Sequence, residues 1–166
     1  MLSKEAIKAQ NKYKKLGAII SWLVVEPWKP KMWKVKMQRL NFDYAVGLNP
    51  KSKGHKKEKL TLAGMETWKI TTPNSDPEKI LLYFHGGAYQ VGSPKGYYPM
   101  LTHLARETGF TIYIPDYRLA PEHYHPAQVE DGVATYEALI NDLGYSPDQI
   151  AFGGDSDGGN MSLVNI

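Results

Sequence analysis

The sequence predicts an α/β fold, a mostly parallel sheet with flanking helices entered through an N-terminal helical cap. Two continuous apolar runs, over 80–84 and 110–114, have the composition of central parallel strands covered on both faces. Stretches with helical spacing separate them from each other and from a third run over 149–153. Strand, helix, strand, helix, strand with short connections means right-handed crossovers, and places a site on the loops that follow the strands.

Length and composition bound the alternatives. With 166 residues, 42% hydrophobic and 11% aromatic, the chain can bury one ordinary core and is neither disordered nor fibrous in character. It has no cysteine, which excludes a disulfide framework, a thiolate nucleophile and a zinc site built on sulfur. The net charge of +3 conceals two unlike parts. Residues 1–64 carry 15 Lys and Arg against 4 Asp and Glu, whereas residues 65–166 carry 5 against 13. The basic part either attracts the acidic part or faces an anionic partner.

Lys4, Lys8, Lys12, Lys14 and Lys15 precede an apolar run over 16–25. That run is too short to span a bilayer, for which a helix needs about 20 residues. Glu26-Pro27-Trp28 stands where a small-x-small cleavage site belongs. Leu16, Ile20 and Leu23 at helical spacing predict a helix docked on the body. Over 28–39, cations alternate with Trp28, Met32, Trp33, Val35 and Met37. The pattern suits a phosphate or lipid-headgroup surface, or a half-buried cover with solvated lysines; no nucleic-acid-binding motif accompanies it, so the cover is the expectation. Residues 51–59 read as an exposed basic loop with His55 solvated. The resulting division is a helical cap over 1–45 and a body over 46–166.

Within the body, 59–62 and 66–71 alternate as a hairpin around Ala63-Gly64, and 73–77 is a turn cluster. Leu101, Leu104, Ala105 and Thr108 give one face of a helix over 97–108, stopped by Gly109. Val129, Val133, Tyr136, Ile140 and Leu143 give another, closed by Gly144. The strand over 149–153 then breaks into Gly154-Asp155-Ser156-Asp157-Gly158-Gly159. Gly154-x-Ser156-x-Gly158 is the nucleophile-elbow spacing: a serine at the apex of a strand-to-helix turn sits in strained backbone, and small neighbours let the flanking elements close. The alternative is a glycine turn capped by Ser156.

His85-Gly86-Gly87 after the first run, Asp116 to His123 after the second and the Ser156 motif after the third resemble the hormone-sensitive-lipase family of α/β-hydrolase esterases. The resemblance covers 80–166, and the hairpin over 59–71 fits the family's first strands. It implies the N-terminal portion of an α/β-hydrolase fold, five strands up to the elbow. Residues 1–45 are similar to the family's cap in position and helical character.

The resemblance implies a carboxylic ester hydrolase that works through a covalent acyl-serine on small or short-acyl esters. Ser156 attacks, and the N–H groups of Gly86, Gly87 and Asp157 hold the oxyanion. His85 orders the loop; Gly154, Asp155 and Gly158 shape the elbow. Ala88 stands where many relatives carry a third glycine, and Asp157 where many carry alanine. The Asp157 carboxylate brings negative charge near the nascent oxyanion unless it turns away. Asp116, Arg118 and Glu122 are expected as a structural cluster beneath the elbow, and His103, His123 and His125 do not hold the base's position. The family's acid and base follow the nucleophile in the chain. Neither lies within these 166 residues, so the resemblance implies a C-terminally truncated chain, inactive by itself.

No cofactor, metal or nucleic acid is expected. The implied partner is a small-molecule ester met in the cytoplasm, with peripheral membrane contact through the basic N-terminal part left open. Two other classes stand beside this reading: a non-catalytic small-molecule-binding module of the same fold, and a basic membrane- or nucleic-acid-associated protein.

Overall fold

The computed structural model describes residues 32–165, so the helix expected around 16–25 lies outside the described residues. The elements in order are α1 (Met32–Val46), β1 (Lys56–Leu62), β2 (Met65–Thr71), β3 (Asp76–Phe84), α2 (Pro94–Thr108), β4 (Phe110–Pro115), α3 (Ala127–Asn141), a 3-10 turn (Pro147–Gln149), β5 (Ile150–Gly154) and α4 (Asp157–Val164). One sheet runs β1-β2-β4-β3-β5. Its parallel part is β4-β3-β5, and the β1–β2 hairpin extends it antiparallel through β2 on β4.

The parallel strands read as continuous apolar runs because helices cover both of their faces. Alternate residues therefore enter different cores. Leu82, Phe84, Tyr113 and Ile150 pack with Leu139 of α3 and Met161 of α4. Tyr83, Ile112 and Ile114 pack with Tyr97, Leu101 and Ala105 of α2. Each fully buried Leu, Ile or Phe contributes roughly 1.5–3 kcal/mol by leaving water. Helix α2 begins where Ser93 Oγ accepts from the Gly96 N–H at 3.2 Å, and stops where Gly109 donates to Ala105 O.

Two strand starts differ from the sequence expectation, each for a pairing reason. Strand β1 begins at Lys56 rather than 59, because its exposed lysines pair in register with β2 although they bury nothing. Strand β3 begins at Asp76, four residues before its apolar run, with a register shift against β4 between Asp76 and Ile80. The turn before it is correspondingly tight, Thr72 N–H donating to Ser75 Oγ at 2.9 Å.

Helix α1 is a half-buried cover. Val35 is fully buried, Phe42 and Val46 pack against the α2 core, and Trp33 and Tyr44 remain exposed. Arg39 fixes the helix to the body. Its guanidinium forms a two-pronged pair with Glu122 at 2.7 and 2.6 Å and also donates to Gln90 O at 2.7 Å and Ala120 O at 2.9 Å. These contacts tie α1 to the loops after β3 and β4.

Candidate active site

The loop after β3 and the turn after β5 meet at the C-terminal ends of the parallel strands. Only Asp155 and Ser156 separate β5 from α4. Ser156 has φ +53° and ψ −122°, a backbone conformation rare for a residue with a side chain, and its side chain makes no capping bond to the helix it opens. The residue is exposed. The elbow glycines are required by close approach. A Cβ on Gly154 would strike the Gly158 carbonyl and lie 2.6 Å from Phe84 O, and one on Gly158 would strike Phe84 O and lie 2.8 Å from His85 O. Strand β5, helix α4 and the end of β3 therefore touch backbone to backbone.

Two carboxylates bind the loop to the elbow. Asp155 accepts from the Gly86 N–H at 2.8 Å and from the Tyr83 and Tyr97 hydroxyls at 3.1 and 2.8 Å. Asp157 Oδ1 accepts from the Gly87 and Ala88 N–H groups at 2.8 and 2.7 Å, and its Oδ2 from the Tyr89 N–H at 2.7 Å. Of the three N–H groups expected for an oxyanion, that of Gly86 is thus engaged by Asp155, while that of Gly87 converges with Ala88 on a single oxygen. The N–H of Asp157 stands at the first position of α4, where no preceding turn supplies a carbonyl. Burial and the neighbouring Asp155 charge push the Tyr83 and Tyr97 hydroxyls far up, so both remain donors.

His85 is fully buried, stacked on Tyr117 at 4.4 Å, with Nδ1 at 3.0 Å from Gly86 O. Tyr117 donates its hydroxyl to His85 O at 2.6 Å. The side chain braces the loop from beneath. Burial lowers its pKa, so the folded state resists a proton that the unfolded chain takes up below about pH 6.5. The unfolded state then binds more protons, and the contribution of this group to stability is lost as pH falls through that value. We expect the His85 ring carbon shifts to report a protonation midpoint below the ordinary histidine value of about 6.5; a midpoint at or above that value would refute the assignment.

Other expectations need correction. Asp116, Arg118 and Glu122 do not form one cluster, because each finds a partner on a different element. Arg118 pairs with Asp131 and Glu130 of α3, Glu122 pairs with Arg39 of α1, and the Asp116 N–H bonds Glu66 O. His55 is half-buried rather than solvated, its ring edge-on to Tyr98 at 5.4 Å. His103 bonds Pro50 O on the surface, and His123 and His125 are exposed in the loop before α3. Among the described residues no His, Asp and Glu form a group placed to hold a metal ion, and no helix is long and apolar enough to cross a membrane. Tyr83, Tyr89, Tyr97 and Arg39 are marked by no motif, and for Ala88 the sequence shows only its departure from glycine, not its N–H on Asp157.

A family described as having the alpha/beta hydrolase fold matches residues 81–166. The carboxylic ester hydrolase LipN of Mycobacterium tuberculosis is 37% identical over 89 residues, covering 51% of this chain and 24% of that protein. An esterase from the bacterial hormone-sensitive lipase family superposes with a TM-score of 0.77 at 34% identity, covering 92% of this chain and 50% of that one. EstE5 soaked with p-nitrophenyl butyrate superposes with a TM-score of 0.74 at 33% identity, covering 90% of this chain and 50% of that one. The protein spans about half the length of these structures. On the family match over 81–166 and the superposition at 34% identity, the chain belongs to the hormone-sensitive-lipase-like family of α/β-hydrolase esterases.

Proposed function

We propose that the protein contributes the nucleophile and the oxyanion hole of a serine carboxylic ester hydrolase acting on short-acyl esters. The observation that carries this is Ser156, exposed at positive φ on a two-residue turn between two carboxylates, Asp155 and Asp157, that bind the N–H groups of the loop after β3. Ser156 Oγ adds to the ester carbonyl, its proton passes to a base, and the alcohol leaves to give an acyl-serine that water hydrolyses. The Gly87 and Ala88 N–H groups, with that of Asp157 at the start of α4, stabilise the tetrahedral oxyanion; removing one such donor costs about 10²–10³ in rate. His85, buried and braced, orders the loop. Soaking of EstE5 with p-nitrophenyl butyrate supports a short acyl chain as the substrate class.

The acid and base that activate such a serine follow it in the chain order of this fold. In a protein that carries them, p-nitrophenyl butyrate hydrolysis disappears in Ser156→Ala, and a fluorophosphonate probe labels Ser156, read by peptide mass spectrometry. Residues 1–166 alone hydrolyse the ester no faster than their Ser156→Ala variant, since a hole without a base leaves most of the barrier. Full activity retained in Ser156→Ala would remove the assignment. A binding module without turnover is the second reading, favoured by the Asp157 carboxylate already seated on the loop; saturable ester binding with no hydrolysis in the complete protein would select it.

A further inference from the structure

The loop after β3 is built to hold an anion. Gly87, Ala88 and Tyr89 have φ of +140°, +55° and +56°, three successive residues in the region that favours glycine, although two of them carry side chains. At Gly87 the requirement is absolute, since a Cβ there would lie 2.7 Å from the Val91 carbonyl carbon. The outcome is a nest of N–H groups turned to one side, the form that backbone takes around bound anions. The nest is pinned from behind. Tyr89 O accepts from the Ala120 N–H at 2.8 Å, and the Tyr89 hydroxyl donates to Asp157 O at 2.9 Å.

What fills this nest is the Asp157 side chain. Oδ1 lies 2.8 Å from the Gly87 nitrogen and 2.7 Å from that of Ala88. Donors at about 2.7–3.1 Å converging on one oxygen define the place of a transition-state oxyanion. An ester oxygen and Oδ1 cannot share it, because two oxygens on the same pair of donors would overlap and repel. The carboxylate therefore has to leave before an ester can react. Its residue is half-buried at the first position of α4, so solvent is adjacent.

We propose that Asp157 is an autoinhibitory plug, a carboxylate on the chain itself that occupies the oxyanion nest in the resting site and competes with the substrate for it. The proposal rests on Ser156 as the nucleophile. It also sets the chemistry of a competing ligand: once the plug is gone, the nest takes a small carboxylate from solution.

Two measurements on the full chain test it. With ¹⁵N-labelled glycine and alanine, the Gly87 and Ala88 amides report directly on the nest. Asp157→Ala moves both proton resonances upfield, and butyrate restores them saturably in the variant while leaving the wild type unchanged at the same concentrations. The second measurement is fluorophosphonate labelling of Ser156, in which an Oγ–P bond forms, fluoride leaves and the hydroxyl proton passes to base or solvent. The labelling rate rises at least tenfold in Asp157→Ala and by less in Asp157→Asn, whose neutral amide keeps the shape and weakens the hold. Asp157→Asn also guards against misfolding of the alanine variant. Amides unmoved by Asp157→Ala, or butyrate bound equally by wild type, overturn the plug; so does labelling that stays level or falls in both folded variants. Labelling of Ser156 in none of the proteins, with the amide response intact, refutes the nucleophile and upholds the occupied nest.

Discussion

Replacing Gly158 by alanine destabilises the protein by about 3 kcal/mol, the upper part of the usual range for forcing atoms into packed structure. The new Cβ would meet the Phe84 carbonyl, with its carbon at 2.7 Å, and His85 O at 2.8 Å. These are backbone atoms where β3 ends, so relief requires moving α4 off the sheet rather than turning a side chain. For a chain of this length the loss lowers the melting temperature by roughly 6–12 °C. Serine reactivity falls too, because the same movement separates Ser156 from the loop. Gly159→Ala is the matched control. There the nearest atom to a new Cβ is Gly154 O at 3.4 Å, ordinary contact, and alanine is the better helix former by up to about 1 kcal/mol. Denaturant unfolding of the two variants should give opposite signs, and equal losses would show that the elbow is not packed as described.

The contrast between these adjacent glycines shows where sequence reasoning works. Gly154 and Gly158 are legible because the spacing about Ser156 is dictated by the local geometry of a strand-to-helix turn. The buried runs that become β3, β4 and β5 are legible for a similar reason, since burial on both faces leaves a continuous apolar signature. What escapes is long-range pairing of polar groups. Arg39 and Glu122 lie 83 residues apart, and nothing near either residue specifies the other. Asp116, Arg118 and Glu122 sit close together in the chain, yet Arg118 pairs with α3, Glu122 with α1, and Asp116 bonds β2 through its backbone N–H. In the loop after β3, residue type limits the backbone but not which N–H faces the elbow. That depends on two carboxylates some 70 residues downstream, Asp155 taking Gly86 and Asp157 taking Gly87 and Ala88.

Expressed as residues 1–166, the protein should self-associate through β5. Among the described residues β5 pairs only with β3, from Ile80 opposite Ile150 to Phe84 opposite Gly154, and its other side is an open edge. The opposite edge of the sheet is protected: β1 presents exposed Lys56, Lys57, Glu58 and Lys59, charges of the kind that deter strand addition. Strand β5, Ile-Ala-Phe-Gly-Gly, has none. Helix α4, which packs on β5, also exposes Leu163 at 74% and Val164 at 53%. Each strand polar group shielded from water without a partner costs about 1–3 kcal/mol, and pairing with a second copy removes several such losses at once. Size-exclusion chromatography with light scattering should find a dimer or larger species. Ala151→Lys, which sets a charge at an exposed position in the middle of the open strand, should shift it to monomer without loss of helix by circular dichroism. A monodisperse wild-type monomer with a sharp thermal transition would mean that the β5 edge is covered from within the chain.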